Sequence, residues 1–150
     1  MTAVKTLAGE SLLIQIGDGA TPTETFTHDC LINLDRAFAM GADVTDVVVP
    51  DCDDAEAPAW KSRFIDGLSG DISGSGKLHT ASVETWFNWF ASGDAKNVRV
   101  NVNVAGALGG GYFSFAAKLT SFSISGARKN YSDAEVALVS HGAITWTDNA

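Results

Sequence analysis

From Asn97 to Val104 polar and apolar residues alternate without a break. Val98, Val100, Val102 and Val104 fall on one side of an extended chain, and Asn97, Arg99, Asn101 and Asn103 fall on the other. A period of two marks a strand with one dry and one wet face. The wet face carries amides and a single arginine, not a set of groups that could relay protons or hold a metal. It reads as a surface for water or for a partner.

The same reading gives the remaining elements. Leu12 to Ile16 predicts a strand closed by the turn-forming GDGATPT. Glu24 to Asn33 predicts a second extended run with Phe26, His28 and Cys30 on one face, although LINLDRAFAM beyond it reads equally as the start of a helix. A third strand, Val44 to Val49, is stopped by Pro50, which has no N–H to give a ladder. Asp35 to Asp43 and the acidic, proline-flanked Pro50 to Trp60 read as exposed connections. WKSRFIDGL fits a short helical turn or another strand, and Asp71 to His79 a strand interrupted by glycines.

One helix is predicted, over SVETWFNWFASGD. Thr80 or Ser82 caps its start, Gly93 stops it, and Val83, Trp86, Phe87 and Phe90 form the stripe that covers a sheet. Trp89 lies off the centre of that stripe, against its flank or a neighbouring copy. Four extended stretches follow, at Val98–Val104, Tyr112–Lys118, Leu119–Ser125 and Glu135–Trp146, with GALGGG and GARKNYSD as connections. Seven or eight strands and one helix predict a mainly β fold: an antiparallel β-sandwich or partly closed barrel with one flanking α-helix. At 150 residues the expectation is one domain.

Charge narrows the partners. Ten basic against eighteen acidic residues leave a formal charge of −8, which opposes tight binding to a phosphate backbone. Charged residues make up only 19% of the chain, so part of its surface is expected to be covered by copies of itself. No stretch reaches the roughly twenty apolar residues of a membrane helix, and the first residues lack a signal-like apolar run, so a cytoplasmic, membrane-free chain is expected. Cys30 and Cys52 are then expected to be reduced and buried.

No chemistry-bearing motif emerges. GALGGG lacks the order and spacing of a phosphate loop, and DCDDAE lacks the glycine and terminal glutamate of a calcium loop. His28, His79 and His141 are dispersed, and there is no GxSxG elbow. Neither catalysis, metal nor cofactor is expected. Trp60, Trp86, Trp89 and Trp146 leave open a β-sandwich binding module that stacks a carbohydrate on exposed aromatics.

Four features together resemble the major tail tube proteins of long-tailed bacteriophages and related gene transfer agents. They are the KTLAGESLLIQIGDG strand and turn, the SVETWFNWF helix, the C-terminal GGYFSFAAKLTSFSISGARKNYSDAEVALVSHGAITW, and the length. The resemblance implies a structural, non-enzymatic subunit whose sheets join between copies into an inner barrel. It implies hexameric rings stacked into a tail tube, tape-measure, baseplate and tail terminator proteins as partners, and DNA passing through the lumen without specific binding. Such a tube is assembled in the host cytoplasm and belongs to the tail of a virion or gene transfer agent particle. A single-ring terminator or connector is the related alternative. For the lumen or polar strand face the candidates are Asn97, Arg99, Asn101 and Asn103. For ring-stacking loops they are Arg36, Met40 and Asp43 in one connection, and Asp51, Asp53, Asp54 and Glu56 in the other.

Overall fold

A computed structural model describes residues 3–20 and 23–150; Thr21 and Pro22, inside the expected GDGATPT turn, lie outside the described residues. The strands are β1 (Leu12–Gly17), β2 (Phe26–His28), β3 (Arg36–Val48), β4 (Lys61–Lys77), β5 (Lys96–Val102), β6 (Gly111–Ser125) and β7 (Asp133–Asp148), with helix α1 (Val83–Ser92) between β4 and β5. They form one antiparallel sheet in the order β2-β1-β5-β6-β7-β4-β3, which is not closed.

The half-wet strand becomes β5. Val98 and Val100 face Ile16 and Ile14 of β1 on one side and Phe115 and Phe113 of β6 on the other, and both valines are buried. The same core takes Ile72 from β4 and Val136 and Leu138 from β7, so the sheet wraps over itself. Phe38 of β3 stacks on Phe115 at 5.6 Å, and Arg36 Nη1 donates to Leu12 O at 3.1 Å, tying the far edge back to β1. The turn after β1 is fixed by Asp18, whose carboxylate accepts the N–H groups of Ala20 and Thr25 and is held below its ordinary pKa by them.

Helix α1 ends as expected, with Gly93 in the left-handed region at φ 69° and its N–H on Trp89 O. Its buried row differs. Trp86 and Trp89 are buried while Phe87 and Phe90 are exposed. Trp86 stacks on Phe122 of β6 at 6.3 Å, and Trp89 Nε1 donates to Asp94 O at 2.8 Å. Donating the Trp89 N–H avoids the cost of an unmade bond, about 1–3 kcal/mol, a cost that offsets part of the burial gain at Trp86, whose buried Nε1 has no partner among the described residues.

Four further expectations are corrected. Asp35 to Asp43 is not a connection, because β3 already begins at Arg36 and runs through Met40 and Asp43. Tyr112–Lys118 and Leu119–Ser125 are one strand, β6, with irregular register between Ser114 and Ala116 and between Leu119 and Ser121. Cys30 and Cys52 are free but exposed, not buried. The run Glu24 to Asn33 keeps only Phe26–His28 as strand, then turns at Asp29, whose carboxylate accepts the Leu31 N–H at 2.8 Å.

That turn inserts Leu31 and Ile32 into the core, with Ile32 over Gly74 and Asn33 over Gly76 in a column of buried glycines on β4 that also includes Gly70. A Cβ on Gly74 would sit 2.8 Å from Ile32 Cγ2, which is closer than packed carbons approach. Gly74→Val is expected to destabilise by about 1–3 kcal/mol by overpacking, whereas Ser73→Val on the exposed side of the same strand costs little. Thermal melts check this at roughly 2–4 °C per kcal/mol for a chain of this size, and equal melting of the two variants would refute the column.

Candidate functional site

The most informative surface is not a pocket but a pair of unpaired strand edges. β3 is an outer strand along its whole length. β6 gives β5 only its first half: Gly111–Ala117 pair with Lys96–Val102, while Lys118–Ser125 pair with β7 alone. The four long strands β6, β7, β4 and β3 therefore form a segment that ends on free backbone at both sides. Unpaired N–H and C=O rows of this kind template pairing with another chain.

One face of this segment is the core; the other carries mostly small side chains, with Asp71, Asp133 and Glu135 as its acids and Lys77 and Lys118 as its bases. Rows run straight across it in register. Ala37, Ser73, Ala137 and Ser121 make one row, and Ser75, Glu135 and Ser123 lie beside it. Ala39 and Asp71 continue toward Val139 and Lys118, and Lys77 pairs with Asp133 at 2.7 Å. A shallow depression of about 330 Å³ lies over Asp35, Ser73, Ser75, Ser121, Ser123 and Glu135. Among the described residues neither Asp71 nor Glu135 is ion-paired, and the rows hold no aromatic side chain.

Beyond Gly70 the sheet thins. β7 pairs with β4 only over Asp71–Lys77, so the backbone ladder of Lys61–Gly70 is with β3 alone, and β7 reaches it through the Gly70 N–H, which donates to Ser140 Oγ at 2.9 Å. This half of the β3–β4 hairpin is a two-stranded ribbon, and such a ribbon is marginally stable by itself. Its side continuous with the core carries Met40, Val44, Ile65 and Leu68, all exposed, and near its tip Asp46 with Arg63 and Lys61. An apolar groove of about 540 Å³ opens between Met40 and Leu68 of the ribbon and Phe113, Ile144 and Trp146. Two independent apolar surfaces are thus left uncovered in a lone chain, the ribbon and the Phe87–Phe90 side of α1.

The sequence-derived residues divide as follows. Asn97, Arg99 and Asn101 share one face of β5, but that face is largely occupied: the Arg99 guanidinium lies 3.9 Å from the centre of the Phe26 ring and 4.5 Å from that of Tyr112. Asn97 Nδ2 donates to Glu24 Oε1 at 2.8 Å. Asn103 lies past the end of β5, its N–H on Ser11 O. Arg36, Met40 and Asp43 stand on the edge strand β3. Asp51, Asp53, Asp54 and Glu56 do sit in an exposed connection, at the tip of the ribbon next to Trp60, which is 95% exposed. The four tryptophans form no platform, since Trp86 and Trp89 are in the core. The small-residue face was missed by periodicity, though GDISGSGK beside SFSIS, each with a small residue at every second position, is its signal.

The family model described as phage tail tube protein matches residues 6–146. No curated protein matches the chain. Among solved structures, the fold is similar to that in the tail of an empty gene transfer agent particle with C6 symmetry, at 20% identity and a TM-score of 0.74 over 95% of this chain and 99% of that one. It is similar to a chain of the native gene transfer agent virion, at 19% identity and a TM-score of 0.73 over 95% and 99%. The SPP1 tail tube matches at 10% identity and a TM-score of 0.62 over 96% and 80%. At such identities the likeness is one of fold.

Proposed function

The chain belongs to the phage tail tube protein family, and on that premise we propose that six copies join edge to edge into a ring, and that rings stack into a hollow tube through which DNA passes. It is a structural subunit, and its work is geometric and not catalytic. The observation that carries the ring is the four-strand segment with free backbone on both sides. Rotation about a tube axis preserves strand direction. Because the segment holds an even number of antiparallel strands, β6 of the next copy meets β3 antiparallel, and the ladder closes with no edge left.

The number six is taken over from the C6 symmetry of the similar gene transfer agent tail. Six copies of four strands give a barrel of 24 strands. At roughly 4.8 Å per strand its backbone radius is about 18 Å before strand tilt widens it, which leaves an open channel. Of the two faces of these strands one is already the core, so in a closed barrel the Ser73–Ala137–Ser121 face turns to the axis. Small side chains give a passing polyanion little to catch on, Asp71 and Glu135 repel it, Lys77 is neutralised by Asp133, and Lys118 shares a row with Asp71, which offsets its charge. On this reading Arg99 and the asparagines of β5 stay in the outer layer, away from the channel.

Arg36, Met40 and Asp43 then belong to the joint between copies, while Asp51, Asp53, Asp54 and Glu56 at the ribbon tip meet the adjacent ring. The bore accommodates a tape-measure protein during assembly in the host cytoplasm, the ends take baseplate and terminator proteins, and the finished tube sits in a phage or gene transfer agent tail. One wrapped sheet with one helix supports a single domain.

Negative-stain electron microscopy of purified protein over a concentration series, with light scattering on the same samples, tests the reading. Hollow tubes with sixfold end views are expected. Filaments without a bore, single rings that never stack, or a chain that stays monomeric even when seeded with sheared tube ends overturn it.

A further inference from the structure

We propose that the exposed side of α1 is a docking surface for the β3–β4 ribbon of a second copy, with Phe87 and Phe90 closing over the neighbour's Met40 and Val44. The inference rests on the edge-to-edge ring and names the apolar joint that accompanies its backbone ladder.

Phe87 and Phe90 are 60% and 51% exposed, and with Thr120, Ser121 and Phe122 they wall a pocket of about 380 Å³. Those three residues belong to the half of β6 whose outer edge is unpaired. Trp86 of the same helix stacks on Phe122, which fixes α1 on the core side of that edge. A strand added to β6 here therefore runs beside the helix, and every second side chain of it points toward Phe87 and Phe90. Such a strand must be apolar on that side and small or acidic on the other, where the channel face continues.

β3 has this pattern. Phe38, Met40, Ala42 and Val44 alternate with Ala37, Ala39, Gly41 and Asp43. Phe38 is already used in its own core, against Phe113 and Phe115. Met40 and Val44 are not, at 60% and 51% exposed, nor are Leu68 and Ile65 beside them on β4. Both sets lie on the core side of their strands, so in a continuous barrel they come to the same, outer side. Each apolar surface meets the other where the backbone edges pair, and both lose water together. The match of sides also sets register parity, because a slip of one residue would turn Met40 and Val44 into the channel and Asp43 toward the phenylalanines.

The test uses tubes of full-length chain carrying a benzophenone-bearing phenylalanine at Phe87, mixed with isotope-labelled wild-type copies, irradiated and mapped by mass spectrometry. Cross-links between copies to residues 38–48 or 61–69 are expected. Links within one copy, or to any other segment of a neighbour, overturn the proposal. In parallel, Phe87→Ser with Phe90→Ser should leave the monomer's melting temperature and circular dichroism unchanged and raise the concentration needed for tube formation at least tenfold, as should Met40→Ser with Val44→Ser. Assembly of either double variant at the wild-type concentration overturns it as well. Wild-type tubes are scored in every run: if they form while these readouts fail, this joint is wrong and the tube stands, whereas their absence removes the tube reading and this inference together.

Discussion

Val100→Asp is expected to lower the melting temperature by roughly 6–20 °C, whereas Asn101→Asp should stay within a few degrees of wild type. Val100 is 1% exposed and lies between Ile14 of β1 and Phe113 of β6, both apolar. The charge must be buried unpaired or neutralised, and either course costs about 3–5 kcal/mol together with the lost packing. That is a large part of a total stability of roughly 5–15 kcal/mol. Asn101 is the next residue on the same strand, is half-buried, and lies on the same face as Arg99, so a carboxylate there stays out of the apolar core and on the side of a basic group. Melting followed by circular dichroism decides the matter, and equal loss in both variants would refute the assignment of the two faces of β5.

β5 was legible because one of its faces is dry and the other is not, so the physics of burial writes itself into every second residue. β3 was legible only in its second part, where Val44 to Val48 reads as strand. Its first part, Arg36 to Asp43, is largely exposed in a single chain, so small and charged residues such as Ala39, Gly41 and Asp43 stand where alternation is sought, and that stretch reads as a connection. The inward side of β4 carries Gly70, Gly74 and Gly76, with Ile144 and Phe38, Ile32, and Asn33 respectively filling the space over them, and a hydrophobicity pattern cannot show a core supplied from elsewhere. In α1 the apolar residues Val83, Trp86, Phe87, Trp89 and Phe90 span more than one row, and both the expected row and the real one pass through Trp86. Periodicity alone does not choose between two rows when the second is kept apolar for a neighbour. The acidic Pro50–Trp60 connection was read correctly, since its prolines exclude it from a ladder.

Reversing charge on the open face of the four long strands should turn the channel from a conduit into a trap. Asp71→Lys with Glu135→Lys changes each copy by four charges, from −8 to −4, and a ring of six by 24. Both side chains are exposed, unpaired with any base among the described residues, and clear of the α1–ribbon joint, so tubes should still assemble. Inside the bore, rings of lysine meet phosphates from all sides and displace their counterions, so linear duplex DNA should be retained and shielded from nuclease at 50 mM salt. Retention should fall roughly a thousandfold or more by 200 mM salt, as expected for many phosphate contacts. A closed circular plasmid cannot thread a bore and should stay sensitive to the nuclease. Asp51→Lys with Asp53→Lys makes the same change of net charge at the ribbon tip and should shield neither DNA. Arg99→Glu in wild-type tubes should leave passage of linear DNA unaltered, because that guanidinium is held between Phe26 and Tyr112 in the outer layer. If the lysine pair on β4 and β7 bound circular and linear DNA alike, the small-residue face would lie outside the tube and the channel would have to be sought on β5.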